Sequence, residues 1–443
     1  MSSAAESKKP ESIATQVQAA RRAERELARL SADERNQILL AAADMLEARE
    51  TEILNANQQD CEALERELAA GTASAALLKR LKTSPAGIKD MARQVRDVAK
   101  LEDPLGRVLA ATELDDGLTL QKISCALGVV AVIFESRPDV VPQVGSLAIK
   151  TGNGLVLKGG AEARHTNRVL VSIWHEALAS VSQSLQPAIC ALTDRADVAR
   201  ILEMDRDIDL VVPRGSTEFV NYVFEHSRIP VLGHGSGICH IYVDSAADLK
   251  MAKDVVIDAK VQYPAACNSV EKVLVHQDIA GEFLPALAGA LQSAGVEIRG
   301  CSRTIHLLPH GQIIPATEQD WHTEYGDLKI TVKIVSDMDE AIEHINHYGS
   351  RHTESILTQD EHAAELFMDE VDAASVFHNA STRFADGFRY GLGAELGISN
   401  SKLHARGPVG LEGLLTYKYK LHGSGQTVTD YAQGKRSFKH RHL

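Results

Sequence analysis

Between Ile13 and about Val98, apolar residues recur at three- and four-residue intervals, the period of helices that bury one face. Ser31-Ala32-Asp33-Glu34 predicts a capping box that opens one of these helices, and Gly71 and Ser84-Pro85 mark breaks. The pattern then changes to strands. Val108 to Leu114 and Leu118 to Ser124 flank Asp115-Asp116-Gly117, where glycine tolerates the positive φ that a hairpin turn needs. An apolar strand from Gly128 to Phe134 follows, then a loop Glu135-Ser136-Arg137-Pro138, a helix from about Asp139 to Lys150, and a stop at Thr151 to Gly154.

Two strand-turn-helix units come next. Leu155-Val156-Leu157 runs into Lys158-Gly159-Gly160 and a helix with an apolar face at Val169, Ile173 and Trp174. Ile208 to Val212 turns at Pro213-Arg214-Gly215 into a helix carrying Phe219, Val220 and Val223. Repeated β-α-β units predict an α/β fold with parallel sheets and ligands at the carboxyl ends of the strands. Glycines in such turns let backbone amides approach phosphate. The fingerprint Gly-x-Gly-x-x-Gly is missing from both turns, so the pattern alone leaves open a nucleotide site and an unspecialised α/β connection. Further on, a helical stretch Ala247 to Lys260, strands Val270 to His276 and Ile330 to Val335, a helix Met338 to Tyr348 and a strand Ser375 to Asn379 predict a second α/β region. Leu415, Tyr417, Tyr419 and Leu421 alternate with polar residues as a half-exposed strand, and the basic tail Gly434 to Leu443 reads as a frayed, solvated end.

At 443 residues the chain suggests two or three domains. A net charge of −13 opposes nucleic acid and acidic membrane surfaces as partners. Met1 to Gln16 lacks the apolar core of a secretory signal, and no run approaches the roughly 20 apolar residues of a membrane span. The six cysteines have neither Cys-x-x-Cys nor Cys/His ligand spacing, so no metal and no disulfide framework is expected, and the compartment reads as reducing and cytoplasmic.

One cysteine stands apart. Cys267 lies in Tyr263-Pro264-Ala265-Ala266-Cys267-Asn268, a small-residue loop between a helix and a buried strand. A thiol there can act as a nucleophile if it stays accessible and meets donors for the oxyanion, of which its own backbone N–H is one candidate. The competing reading, a small apolar core residue, is kept for Cys61, Cys125, Cys190, Cys239 and Cys301.

Leu127-Gly128-Val129-Val130 through Pro138, Lys158-Gly159-Gly160, Gly237 to Asp244, the Cys267 loop, Phe377 to Gly387, Gly391 to Glu395 and Leu403 to Pro408 resemble, in this order, the aldehyde dehydrogenase superfamily and its γ-glutamyl phosphate reductase branch. The likeness runs from about Ser31 to Tyr431. It implies two Rossmann-like α/β domains plus a β-hairpin oligomerisation element. The cofactor-binding domain would span 1–107 and 126–262, the catalytic domain 263–405, and the assembly element 108–125 and 414–431. It implies Cys267 as the catalytic thiol, Lys158, Gly215, Ser216 and Glu324 as cofactor contacts, and NADPH as the reductant. The residues themselves leave NADH open. Taken singly, Lys158 and Glu324 also read as solvated surface charges. Arg137, which precedes a helix N-terminus opened by Pro138, is the candidate to hold the substrate's phosphate or carboxylate; an ion pair with a carboxylate such as Glu135 is its alternative, and Arg383 and Arg406 compete for the same role.

The implied reaction is attack of Cys267 on γ-glutamyl phosphate, loss of phosphate, and reduction of the thioester to glutamate-5-semialdehyde on the way to proline. A homodimer or homotetramer and association with glutamate 5-kinase belong to the same expectation. Hydrolytic members carry a water-activating Glu upstream of the cysteine, whereas Val231-Leu232-Gly233-His234-Gly235 has no carboxylate. His234 is a possible substitute base, and packing is its plainer reading. A CoA-acylating aldehyde dehydrogenase and a non-catalytic superfamily member remain as alternatives.

Overall fold

The predicted capping box is present: Ser31 Oγ accepts from the Glu34 amide while Glu34 Oε2 accepts from the Ser31 amide at 2.8 Å, opening helix Ala32–Ala48. Helices Ile13–Leu27, Glu50–Ala69, Ala75–Leu81 and Pro85–Lys100 complete the helical first hundred residues. Gly71 takes φ 75° just after Glu50–Ala69, and Ser84 caps Pro85–Lys100, with Pro85 at its first turn. The computed structural model describes residues 12–194, 196–233, 235–308 and 313–443. The chain divides into two units, Met1–Leu232 with Gly393–Leu396 and Gly410–Leu443, and Gly233–Leu392 with Gly397–Val409.

In the first unit the hairpin forms as predicted, β1 (Val108–Asp115) against β2 (Leu118–Ala126), with Gly117 at φ 68°. Behind it lie β3 (Val129–Phe134), β4 (Gly154–Lys158), β5 (Ile189–Leu192) and β6 (Leu210–Arg214), a parallel sheet in the order β5-β4-β3-β6. Every residue of β3 and β4 is buried, which is why both read as continuous apolar runs. The winding runs outward from β3 through β4 to β5 and then returns to the other side of β3 at β6. That reversal makes a topological switch point at the carboxyl ends of β3 and β6.

The second unit holds β7 (Cys239–Val243), β8 (Val270–His276), β9 (Glu297–Gly300), β10 (Ile314–Pro315), β11 (Lys329–Val335), β12 (Thr353–Leu357) and β13 (Ser375–His378). They form one parallel sheet, β10-β9-β11-β8-β7-β12-β13. Alternate residues face opposite layers: Ile241 and Val273 pack with Val256 and Phe283, Tyr242 and Leu274 with Ile345 and Phe367. A short antiparallel pair, β14 (Ile398–Ser399) and β15 (Gly407–Pro408), belongs to this unit. The sequence boundary between 262 and 263 falls inside it. β7 pairs with β8 and β12, so β7 and helix Leu249–Val261 go with the sheet they build, and the unit starts at Gly233.

The chain then returns to the first unit as β16 (Leu415–His422), paired with β2, and β17 (Arg441–His442), paired with β1, giving the antiparallel order β16-β2-β1-β17. This corrects two expectations. β16 is exposed along nearly its whole length rather than half-exposed. The basic tail is not frayed: Lys439 pairs with Asp116, Arg436 Nε meets Asp115 Oδ2 at 2.8 Å, and Arg441 meets Glu113 at 2.6 Å. The acidic hairpin and the basic tail neutralise each other, and the tail takes the free edge of β1.

Candidate active site

In the first unit, the residues expected to meet a cofactor gather at the carboxyl ends of the strands. Lys158 ends β4, its side chain buried and its Nζ donating to the Gly159 carbonyl at 2.6 Å. Gly215 follows β6. A Cβ there would stand 3.0 Å from the Phe219 ring and 3.1 Å from the Glu135 carboxylate, so only glycine fits without a shift. Ser216 caps helix Thr217–His226 by accepting from the Phe219 amide. Across the switch point, Ser136 holds φ 40°, a left-handed conformation rare for serine, because Glu162 Oε1 accepts from both its amide at 2.6 Å and its hydroxyl at 2.8 Å. This fixes the 135–138 loop. Arg137 is partly exposed and pairs with Asp139 at 3.0 Å, not with Glu135, an exposed contact that contributes little.

In the second unit the chemistry sits at the opposite, amino ends of the strands. The Cys267 loop leads into β8. Asn268 Nδ2 donates to the Ala385 carbonyl at 2.7 Å, Ser269 Oγ to the Ala259 carbonyl at 3.1 Å, and the Ser269 amide to the Ala266 carbonyl at 2.9 Å. Cys267 itself is half-buried, and among the described residues nothing accepts its backbone N–H. That donor is free for an oxyanion formed by attack at sulfur. Helix Leu249–Val261 points its C-terminus, the negative end, into this loop, which works against a thiolate. Positive charge must therefore come from side chains.

Arg383 supplies it. It lies buried on the short helix Thr382–Phe384, donates Nε to Gln262 Oε1 at 3.0 Å and covers the Tyr263 ring at 5.8 Å. Burial, and then Arg389, press its guanidinium below its ordinary value, while the Cys267 charge opposes that shift. Arg406 is committed elsewhere. It shares Asp372 with Lys402 and Arg351, at 2.8, 2.7 and 3.3 Å, and the cations, Lys402 first, hold that carboxyl below its usual range.

Glu324 is half-buried ahead of β11, between residues that are tied down. Lys272 Nζ donates to the Thr323 carbonyl at 2.7 Å and stands 4.5 Å from the centre of the Tyr325 ring. The Tyr325 hydroxyl donates to Asp320 at 2.8 Å. Beneath the Cys267 loop, a row of side chains ahead of and along β12 faces β7: Ser350 Oγ accepts from the Ile238 amide at 2.8 Å, and Glu354 Oε2 accepts from the His240 amide at 2.5 Å. The substitute base considered at His234 lies outside the described residues. Among the described residues, no helix is long and apolar enough to cross a membrane.

The sequence profile described as the aldehyde dehydrogenase family matches residues 2–299. A γ-glutamyl phosphate reductase of Cyanothece sp. is 54% identical over 96% of this chain and 96% of its own. That of Natronomonas pharaonis is 51% identical over 97% and 98%. The crystal structure of γ-glutamyl phosphate reductase from Thermotoga maritima superimposes with a TM-score of 0.90 at 40% identity, covering 94% of this chain and 100% of that one. The chain belongs to the aldehyde dehydrogenase family, in its γ-glutamyl phosphate reductase branch. The fold is accordingly the aldehyde dehydrogenase fold, which an acetylating aldehyde dehydrogenase of Geobacillus thermoglucosidasius shares at 16% identity and a TM-score of 0.64.

The residues that sequence reasoning passed over are those behind the Cys267 loop. Ser350, His352 and Glu354 fall in Ser350-Arg351-His352-Thr353-Glu354-Ser355, six polar residues in a row ahead of Ile356-Leu357. Such a run shows no alternation of polar and apolar positions, so the sequence carried no strand signal for them. Cys239 was assigned to the core, and it is fully buried, but its thiol donates to the Cys267 carbonyl at 3.3 Å.

Proposed function

We propose that this enzyme reduces γ-glutamyl phosphate to glutamate-5-semialdehyde and phosphate through a thioester on Cys267, with NADPH as reductant, as a step of proline biosynthesis. The observation that carries the reading is the Cys267 loop, a half-buried thiol with an unclaimed backbone donor beside a buried arginine. Attack by the thiolate on the acyl carbonyl forms the carbon–sulfur bond, and the oxyanion collapses with loss of phosphate. Phosphate is a good leaving group, so the protein's task is to hold the carbonyl at sulfur and stabilise the oxyanion. Arg383 is the arginine best placed to hold the anionic end of the substrate, since it is buried at the start of the Cys267 loop while Arg406 is engaged by Asp372.

A dinucleotide fits the first unit. The switch point, the closely packed Gly215, the Ser216-capped helix start and the Lys158 cation are the donor set that a pyrophosphate and ribose require. Those residues would hold the cofactor, and a bound nicotinamide would supply hydride to the thioester carbon. Cys267 then departs as thiol when the aldehyde is released. The absence of a carboxylate from 231–235 protects the thioester from water.

Assembly into a homodimer or homotetramer is supported by β16, which leaves Tyr417, Tyr419 and Leu421 exposed on one strand. Light scattering that shows a monomer at micromolar concentration would count against it. The test of the chemistry is Cys267→Ser, expected to lower kcat by at least about a thousandfold with fold and cofactor affinity intact, because a hydroxyl without a base is a poor nucleophile. Retention of more than about a tenth of the activity would remove Cys267 from the mechanism.

A further inference from the structure

Behind Cys267 the backbone of the 237–240 segment comes closer than a side chain would allow. A Cβ on Gly237 would lie 2.8 Å from Cys267 Cα and 2.7 Å from its carbonyl carbon, and closer still to the oxygen. These are backbone atoms that cannot swing away, unlike the tip of a flexible side chain. Two residues on, the buried Cys239 thiol meets the same carbonyl oxygen at 3.3 Å and His352 Nδ1 at 3.7 Å. The segment is held from behind by the Ser350 and Glu354 contacts at either end. The nucleophile's peptide is thus clasped by a glycine that admits it and a thiol that points at it.

We infer that Gly237 and Cys239 are positioning residues for the nucleophile: together they fix the Cys267 peptide plane, and with it the direction of the sulfur and of the backbone N–H. The inference rests on Cys267 being the reactive thiol. Cys239 suits the task because it stays protonated. Burial, and then the nearby Glu354, push its thiol well above the ordinary value, so it donates a proton and does not compete as a nucleophile.

The test compares Cys239→Val, which keeps bulk and loses the donor, with Cys239→Ser, which keeps a donor. The readout is the rate at which iodoacetamide alkylates Cys267, followed from pH 6 to pH 10 by mass spectrometry of the peptide that contains it. Thermal unfolding is recorded in parallel. Alkylation does not depend on which acyl substrate the enzyme uses, so a failure here is separate from a failure of the proposed reaction, which Cys267→Ser reports. Displacement of a reacting group by about an ångström costs up to about a hundredfold in rate. The expectation is that Cys239→Val slows alkylation about tenfold across the profile and lowers kcat more than it raises KM, while Cys239→Ser returns both to within about threefold of wild type. Should Gly237→Ala fold, it should show the larger defect. If Cys239→Val folds and its Cys267 reacts as fast as in wild type at every pH, or if Cys239→Ser is as impaired as Cys239→Val, the thiol only fills space and the inference is wrong.

Discussion

The two parallel sheets solve different problems with different interiors. The sheet of the first unit is apolar at its centre, from Val130 and Ala131 in β3 to Val156 and Leu157 in β4, and it presents its chemistry at the carboxyl ends of its strands. Helix N-termini arrive there, so backbone amides meet an anion with little help from buried side chains. The sheet of the second unit presents its chemistry at the amino ends, where helix C-termini converge and the backbone offers carbonyls. Its strands carry His240, Glu271, Lys272 and Glu354, with Lys260 on the helix ahead of β8 and His352 just ahead of β12, all at two percent exposure or less. Burying such groups is expensive unless they are paired, and here they hold the backbone around Cys267 and Glu324. An anion-binding edge can be built from main chain, whereas a nucleophile at the opposite edge needs a buried polar frame.

The largest expected effect tests that frame. Lys260 and Glu271 lie 3.2 Å apart with almost no exposure. Lys260→Met should destabilise the protein by roughly 3–5 kcal/mol in urea unfolding, because Glu271 is left charged and buried, while Lys260→Met with Glu271→Leu should recover more than half. In the apolar sheet, Leu155→Ala should lose about 2–5 kcal/mol through its cavity, with no second change that restores it by removing charge.

The pH dependence separates the sheets next. Burial lowers His240 to about 3 and His344 to about 2, so both stay neutral in the fold well below the pH at which they charge in the unfolded chain. The unfolded chain then binds more protons, and stability falls as pH drops from about 6.5 toward 3, by roughly 1.4 kcal/mol per pH unit for each histidine. His344→Phe should flatten that slope in thermal melts between pH 7 and 5, and Leu155→Ala should leave it unchanged. The smallest effect belongs to the tail. Truncation after Gly434 should speed amide exchange in β1 and leave the main unfolding transition in place, because β17 covers an edge and not a core.

Much of this was legible. The capping box at Ser31, the Gly117 hairpin and the strands β3, β4 and β8 each have a local signature, and Cys267 stood out by its loop. The boundary at 262 failed because strand membership in a parallel sheet is set by pairing between β7 and β12, more than a hundred residues apart, which periodicity does not carry. The tail was misread because its pairing is likewise long-range: Arg441 finds Glu113 only once β1 and β2 have folded. Of the three arginines, sequence put Arg137 first for its place ahead of a helix N-terminus, a local cue that carries nothing about burial or ion pairing. Burial of Arg383 and the carboxylate beside Arg406 separate them.

The central claim is that Cys267 carries an acyl group that only phosphate resolves. Mixing the enzyme with glutamate-5-semialdehyde and NADP⁺ in phosphate-free buffer tests it directly. The account predicts a burst of about one equivalent of NADPH per subunit, a glutamyl adduct on the Cys267 peptide, and no further turnover until phosphate or arsenate is added. Sustained NADPH formation with free glutamate as product would mean that a water-activating group operates near the thioester, and would contradict the assignment.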